Sequence, residues 1–169
     1  IEGRTYQNPS TGNIEGFLYN YDITGQKIQQ QLSYNLHSIG YESVGLISMP
    51  EAKVRYYKLE ENGGNWVECS TVLDYQENAD QVILRNVPQK EQTLVLEMCC
   101  LKKVLQALEE TGDYGFSYGI FNRENILRRK FLHFSFFNGV KNVIFLSIQD
   151  ITEQYAKEQK QIGLLQEAI

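Results

Sequence analysis

Apolar positions change their period several times along the chain, and each change marks an element. Residues 3–8 and 14–22 read as two short strands separated by the turn Pro9-Ser10-Thr11-Gly12-Asn13. From Thr24 the spacing turns helical, with Ile28, Leu32, Leu36 and Ile39 three or four apart before Gly40. Residues 43–49 and 53–59 return to strand patterning, and Asn62-Gly63-Gly64-Asn65 is a turn. Residues 66–74 read as extended and 74–87 as short helical turns and loop. Pro88 suits the first turn of a helix, and 89–111 contains neither Gly nor Pro, which predicts one long helix closed by Gly112. Its expected apolar stripe is Leu94, Met98, Leu101, Leu105 and Leu108. Three strands follow, over 114–121, 126–137 and 142–149, the last two joined at Asn138-Gly139, a strong hairpin signal. Two strands, a helical middle and three antiparallel strands predict an α+β domain with a five-stranded antiparallel sheet and its helices on one face, flanked by linker helices.

The strand over 143–148 is apolar at nearly every residue, whereas an antiparallel strand with one wet face should alternate. Both its faces must therefore be covered, either within the monomer or by a linker helix or second protomer. The register of the 126–149 hairpin stays open: a two-residue turn at Asn138-Gly139 pairs Ser135 with Asn142, and a three-residue turn exposes the other set of side chains.

Composition narrows the function class. The chain has 169 residues, 42% of them hydrophobic and 22% charged, as in an ordinary globular domain. A net charge of −5 gives no pull toward nucleic acid, and Arg128-Arg129-Lys130 reads as an exposed strand end. No apolar run is long enough to span a bilayer, no secretory signal opens the sequence, and no direct membrane contact is expected. Three cysteines, two of them adjacent, do not make a disulfide framework, so reduced thiols and a cytoplasmic setting are expected.

One segment occurs twice. Residues 17–26, ending Asp22-Ile23-Thr24-Gly25-Gln26, match residues 145–154, ending Asp150-Ile151-Thr152-Glu153-Gln154, at six of ten positions. The copies lie 128 residues apart, a domain-sized interval. In each, a strand runs into a helix. Asp150 can cap that helix and Glu153 can reach back to it as in a capping box, which would fix the angle at which the helix leaves the sheet. The first copy carries Gly25 instead of Glu and predicts a weaker cap.

The repeated strand-then-Asp-Ile-Thr ending and the order of elements between 43 and 151 resemble the PAS sensory family of bacterial signalling proteins. The resemblance implies the last strands of a preceding repeat over 1–24, a connecting helix over 25–41, a complete PAS-like domain over 42–152 and a linker helix over 153–169. In that family such repeats stand upstream of output domains, often diguanylate cyclase (GGDEF), EAL phosphodiesterase or histidine kinase modules. No signature of those outputs occurs in this chain. Asp150, Ile151, Thr152 and Glu153, with Asp22 and Thr24 in the first copy, are then the candidates for a signal-transmitting junction.

Catalytic chemistry is sparse. His37 and His133 have no ligating neighbours at metal-site spacing, and G-x-S-x-G, P-loop and G-x-G-x-x-G motifs are absent. No enzymatic activity is expected of these residues. Haem-binding PAS members generally use a histidine on the central helices, and residues 74–111 contain none. Flavin-photoreceptor members need a cysteine within Asn-Cys-Arg-Phe, which Cys69, Cys99 and Cys100 lack. Haem and photoreceptor flavin are therefore not expected, and the cofactor is left open. Tyr118, His133, Ser135 and Ser147, polar among apolar strand neighbours, are the candidates to line a small-molecule pocket. Ile151, Tyr155, Ile162, Leu165 and Ile169 follow a heptad-compatible spacing, which suits a homodimer through linker helices. The expected function is a sensory relay module; the alternative is a structural dimerisation spacer without ligand.

Overall fold

The computed structural model describes residues 2–7, 12, 14–19, 41–60, 66–69, 71–137 and 140–167. Strands β1 (Glu2–Gln7) and β2 (Ile14–Tyr19) form an antiparallel pair, Glu2 opposite Tyr19. The segment expected as a connecting helix, and with it Asp22, Thr24 and His37, lies outside the described residues.

The larger sheet begins with β3 (Ser43–Ser48), β4 (Lys53–Leu59), β5 (Trp66–Glu68) and β6 (Leu73–Asp74). Helices α1 (Tyr75–Asn86), α2 (Gln89–Cys99) and α3 (Leu101–Thr111) follow. Strands β7 (Asp113–Phe121), β8 (Leu127–Phe137) and β9 (Val140–Asp150) complete it, and helix α4 (Thr152–Glu167) leaves it. The order across the sheet is β5-β4-β3-β9-β8-β7, with β6 also on β4 and every pair antiparallel. The fold is α+β and PAS-like in its element order. The sheet has seven strands rather than five, because β5 and β6 pair with the far side of β4.

Helices α1, α2 and α3 share one face of this sheet. Ile83, Val87, Val95, Cys99, Val104 and Leu108 pack there on Ile47, Val54, Phe116, Leu132, Phe134, Ile144 and Leu146. Each fully buried side chain of this size contributes ~1.5–3 kcal/mol of hydrophobic stabilisation. The opposite face carries a second cluster of Val44, Leu46, Tyr57 and Trp66, packed by Tyr41, Phe137, Val143 and Phe145. On β9, Ile144 and Leu146 are buried against the helices and Val143 and Phe145 are half-buried on the second cluster, so both faces make apolar contacts within the single chain, which accounts for its nearly unbroken apolar run.

The helical middle departs from expectation at both ends. Residues 75–86 form a full helix whose first turn is capped by Asp74, its carboxylate accepting from Glu77 N–H at 3.0 Å. The single long helix expected over 89–111 is broken at Cys100, which takes φ −57° and ψ 123°. The break is satisfied from α1: Tyr75 Oη donates to the Cys99 carbonyl at 2.9 Å, and Gln76 Oε1 accepts from Leu101 N–H at 2.9 Å. Of the expected apolar stripe, Leu108 is buried and Met98, Leu101 and Leu105 pack partly buried against the core. Val95, Cys99 and Val104 are also buried, while Leu94 is 58% exposed. Gly112 closes α3 at φ +84°, the left-handed conformation that glycine adopts freely.

Candidate functional site: the sheet–helix junction

Two ladder positions bring the junction together. Lys130 on β8 stands opposite Asp150 at the end of β9, and beyond that pair the chain turns into α4. The ladder does not stop abruptly. Ile151 N–H donates to the Arg129 carbonyl at 2.9 Å, and Arg129 N–H donates to Thr152 Oγ1 at 2.9 Å. The threonine hydroxyl thus takes the place of the next strand acceptor while its own backbone is already helical. The same hydroxyl donates to Asp150 Oδ1 at 2.5 Å, and Thr152 N–H donates to that oxygen at 3.0 Å. A residue at position 152 must therefore accept and donate through one short side chain, which Thr does.

This geometry revises the capping expectation. The first helical bond is Tyr155 N–H to the Ile151 carbonyl, so Ile151 holds the cap position and Asp150 precedes it. Among the described residues Glu153 makes no bond back to Asp150, and the capping box is not formed. Asp150 instead closes a turn on Thr152 and pairs with Lys130 Nζ at 2.9 Å. Burial opposes its ionisation, but the Thr152 hydroxyl, the Thr152 N–H and the Lys130 ammonium outweigh it and hold the carboxyl at about 2.

Arg128-Arg129-Lys130 is not the free basic strand end that its composition suggested. Lys130 is largely buried and also pairs with Glu42, immediately ahead of β3. Burial works against its charge, yet Glu42 and Asp150 together raise its pKa. One ammonium thus joins the residue entering β3 to the residue leaving β9. Arg129 crosses β7 to its open edge, where Nη1 meets Glu91 Oε2 at 3.2 Å. Its Nη2 donates to the Ser117 carbonyl at 3.1 Å, and its guanidinium carbon lies 4.9 Å from the centre of the Tyr155 ring on α4. Composition alone hid these roles, because each partner lies on a different element.

The junction opens onto two surface clefts that meet at Arg128. One, of about 550 Å³, is lined by Asp150, Thr152, Glu153, Lys157 and Glu158 of the exit helix and its approach. The other, of about 480 Å³, is lined by Glu42, Asn86, Phe121, Arg123 and Lys130.

The four pocket candidates do not converge. Tyr118 faces the helices and is buried beside Phe116, and burial pushes its hydroxyl above the ordinary tyrosine range. His133, Ser135 and Ser147 lie on the opposite face. His133 stands directly across from Ser147, which is fully buried, and its ring reaches Asp113 at 3.4 Å. The register places Ser135 opposite Phe145, not Asn142, because the pairing shifts between Phe136 and Phe137. Between sheet and helices the space is occupied by Tyr75, Phe116, Tyr118 and Phe134. Cys99 is buried among them, which lifts its thiol to about 12 and suits packing rather than reactivity.

No family model matches the chain, and no curated protein matches it. Among solved structures it is similar to one described as an RNA-binding light-oxygen-voltage receptor, at 12% identity and a TM-score of 0.37. The match covers 75% of this chain and 33% of that one, so the chain spans about a third of the receptor's length.

Proposed function

We propose that this chain is a sensory or signal-relay module of PAS type. A small-molecule ligand or a partner would bias the sheet between two arrangements, and Asp150, Ile151 and Thr152 would pass that bias to the exit helix α4. One observation carries the reading. Thr152 is shared between the β8–β9 ladder and the first turn of α4, which supports a sheet end whose shift would load the helix. Lys130 supports it by holding Glu42 and Asp150, the two ends of the sheet domain, on one cation. The module itself is non-enzymatic and cytoplasmic in this reading. An output domain such as a diguanylate cyclase, phosphodiesterase or histidine kinase follows only from the family resemblance. The exposed Ile162, Leu164 and Leu165 of α4 support a homodimer through the exit helices.

A second reading, a structural spacer without ligand, is favoured by the aromatic filling between sheet and helices. Native mass spectrometry of the purified chain against its denatured mass separates the two. A retained small-molecule mass is the result expected for the sensor; a clean apo mass that persists on adding extract metabolites belongs to the spacer.

A further inference from the structure

We infer that Arg129 couples helix α2, which lies over the core, to the first turn of the exit helix, through side-chain contacts that do not involve the Asp150–Lys130 pair. Its side chain bonds Glu91 of α2, lies across the edge of β7 at Ser117, and covers the Tyr155 ring of α4. Its backbone holds the same helix through Ile151 and Thr152. Glu91 is fixed from a second side, since Gly119 N–H donates to its Oε2 at 3.1 Å. Position 119 suits this approach: a Cβ there would stand 3.3 Å from Leu127 Cδ1 and 3.4 Å from Glu91 Oε1. Both partners of the ion pair are about three-quarters buried, with 24% and 26% of their side chains exposed, so solvent screens the pair less than a surface one. Arg129 Nε is buried without a partner among the described residues, a desolvation cost that the bonds at the two terminal nitrogens offset. A planar cation that can bond two groups while its face rests on a ring is a task that Lys cannot perform.

A ligand or partner that displaces the start of α2 would then reach α4 through this one guanidinium. Arg129 is a positioning residue here, and the inference rests on the reading of α4 as the transmitted element. Its test does not. Amide hydrogen exchange on the whole chain, over Tyr155 to Glu158, reads the coupling directly. Glu91→Gln, altered on α2 alone, should speed exchange in that turn about threefold. Arg129→Met should do so about tenfold, and the double variant should add nothing to Arg129→Met. Exchange in the central strands β3 and β9 should not change. If Glu91→Gln leaves the α4 turn at its parent rate, or speeds the central strands equally, Arg129 is not the link. Should Arg129→Met fail to fold, Glu91→Gln decides by itself. Loss of the coupling would leave the sensor reading standing, while a clean apo mass would remove that reading and leave the coupling intact.

Discussion

Thr152 and Asp150 show how much one short motif can settle locally. An Asp two residues ahead of a Thr builds a side-chain turn, and the Thr hydroxyl has a lone pair left for a strand N–H. At Asp150 and Thr152 both the exit from the ladder and the entry to the helix depend on it. Its charge state matters as well. The Asp150 carboxyl is held at about 2 in the folded chain, against roughly 3.9 when unfolded. The unfolded state therefore binds more protons between those values, and the contribution of Asp150, complete above about pH 4, is lost as the pH falls toward 2. Urea midpoints measured across that window should fall less steeply for Asp150→Asn than for the parent. Equal slopes would mean that the carboxylate is not held by Thr152 and Lys130.

At the scale of elements, the break between α2 and α3 divides the helical layer over the sheet at Cys100. Ahead of the bend Val95 and Cys99 are buried and Leu94 is exposed; beyond it Val104 and Leu108 are buried. Backbone groups freed by the bend sit at the core and cannot be left bare, and Tyr75 and Gln76 of α1 supply their partners. Tyr75→Phe keeps the edge contact with Phe134, whose ring centre is 6.3 Å away, and removes only the hydroxyl. It should lower the unfolding free energy by about 1–3 kcal/mol, with an unchanged denaturant slope. A neutral result would show that the Cys99 carbonyl finds another donor.

For the whole molecule, two clusters on opposite sheet faces hold the buried apolar residues, the larger of them between the sheet and helices α1, α2 and α3. The exit helix contributes little to either cluster, and Leu165 is 67% exposed. Its apolar residues Ile162, Leu164 and Leu165 are left exposed. If exit helices pair, Leu165→Glu should convert a dimeric native mass to a monomeric one while leaving thermal unfolding of the sheet domain nearly unchanged. A parent chain that is already monomeric at micromolar concentration would remove the dimer proposal.

Strands β3, β4, β7, β8 and β9, the covering of both faces of β9 and the place where the sheet gives way to a helix were legible in the chain's local pattern. Those features rest on local period, turn residues and one short motif, which neighbouring residues express without distant partners. The break at Cys100, the register that pairs Ser135 with Phe145, and the partners of Arg129 and Lys130 emerged only on folding. The reason is physical. A helix bends where another element supplies partners for its freed backbone groups, and a bulge changes register without altering the hydrophobic pattern on either side. A charged side chain is spent on whichever partners the fold brings near it, and Glu91 and Tyr155 lie on different helices from each other and from the strand that carries Arg129.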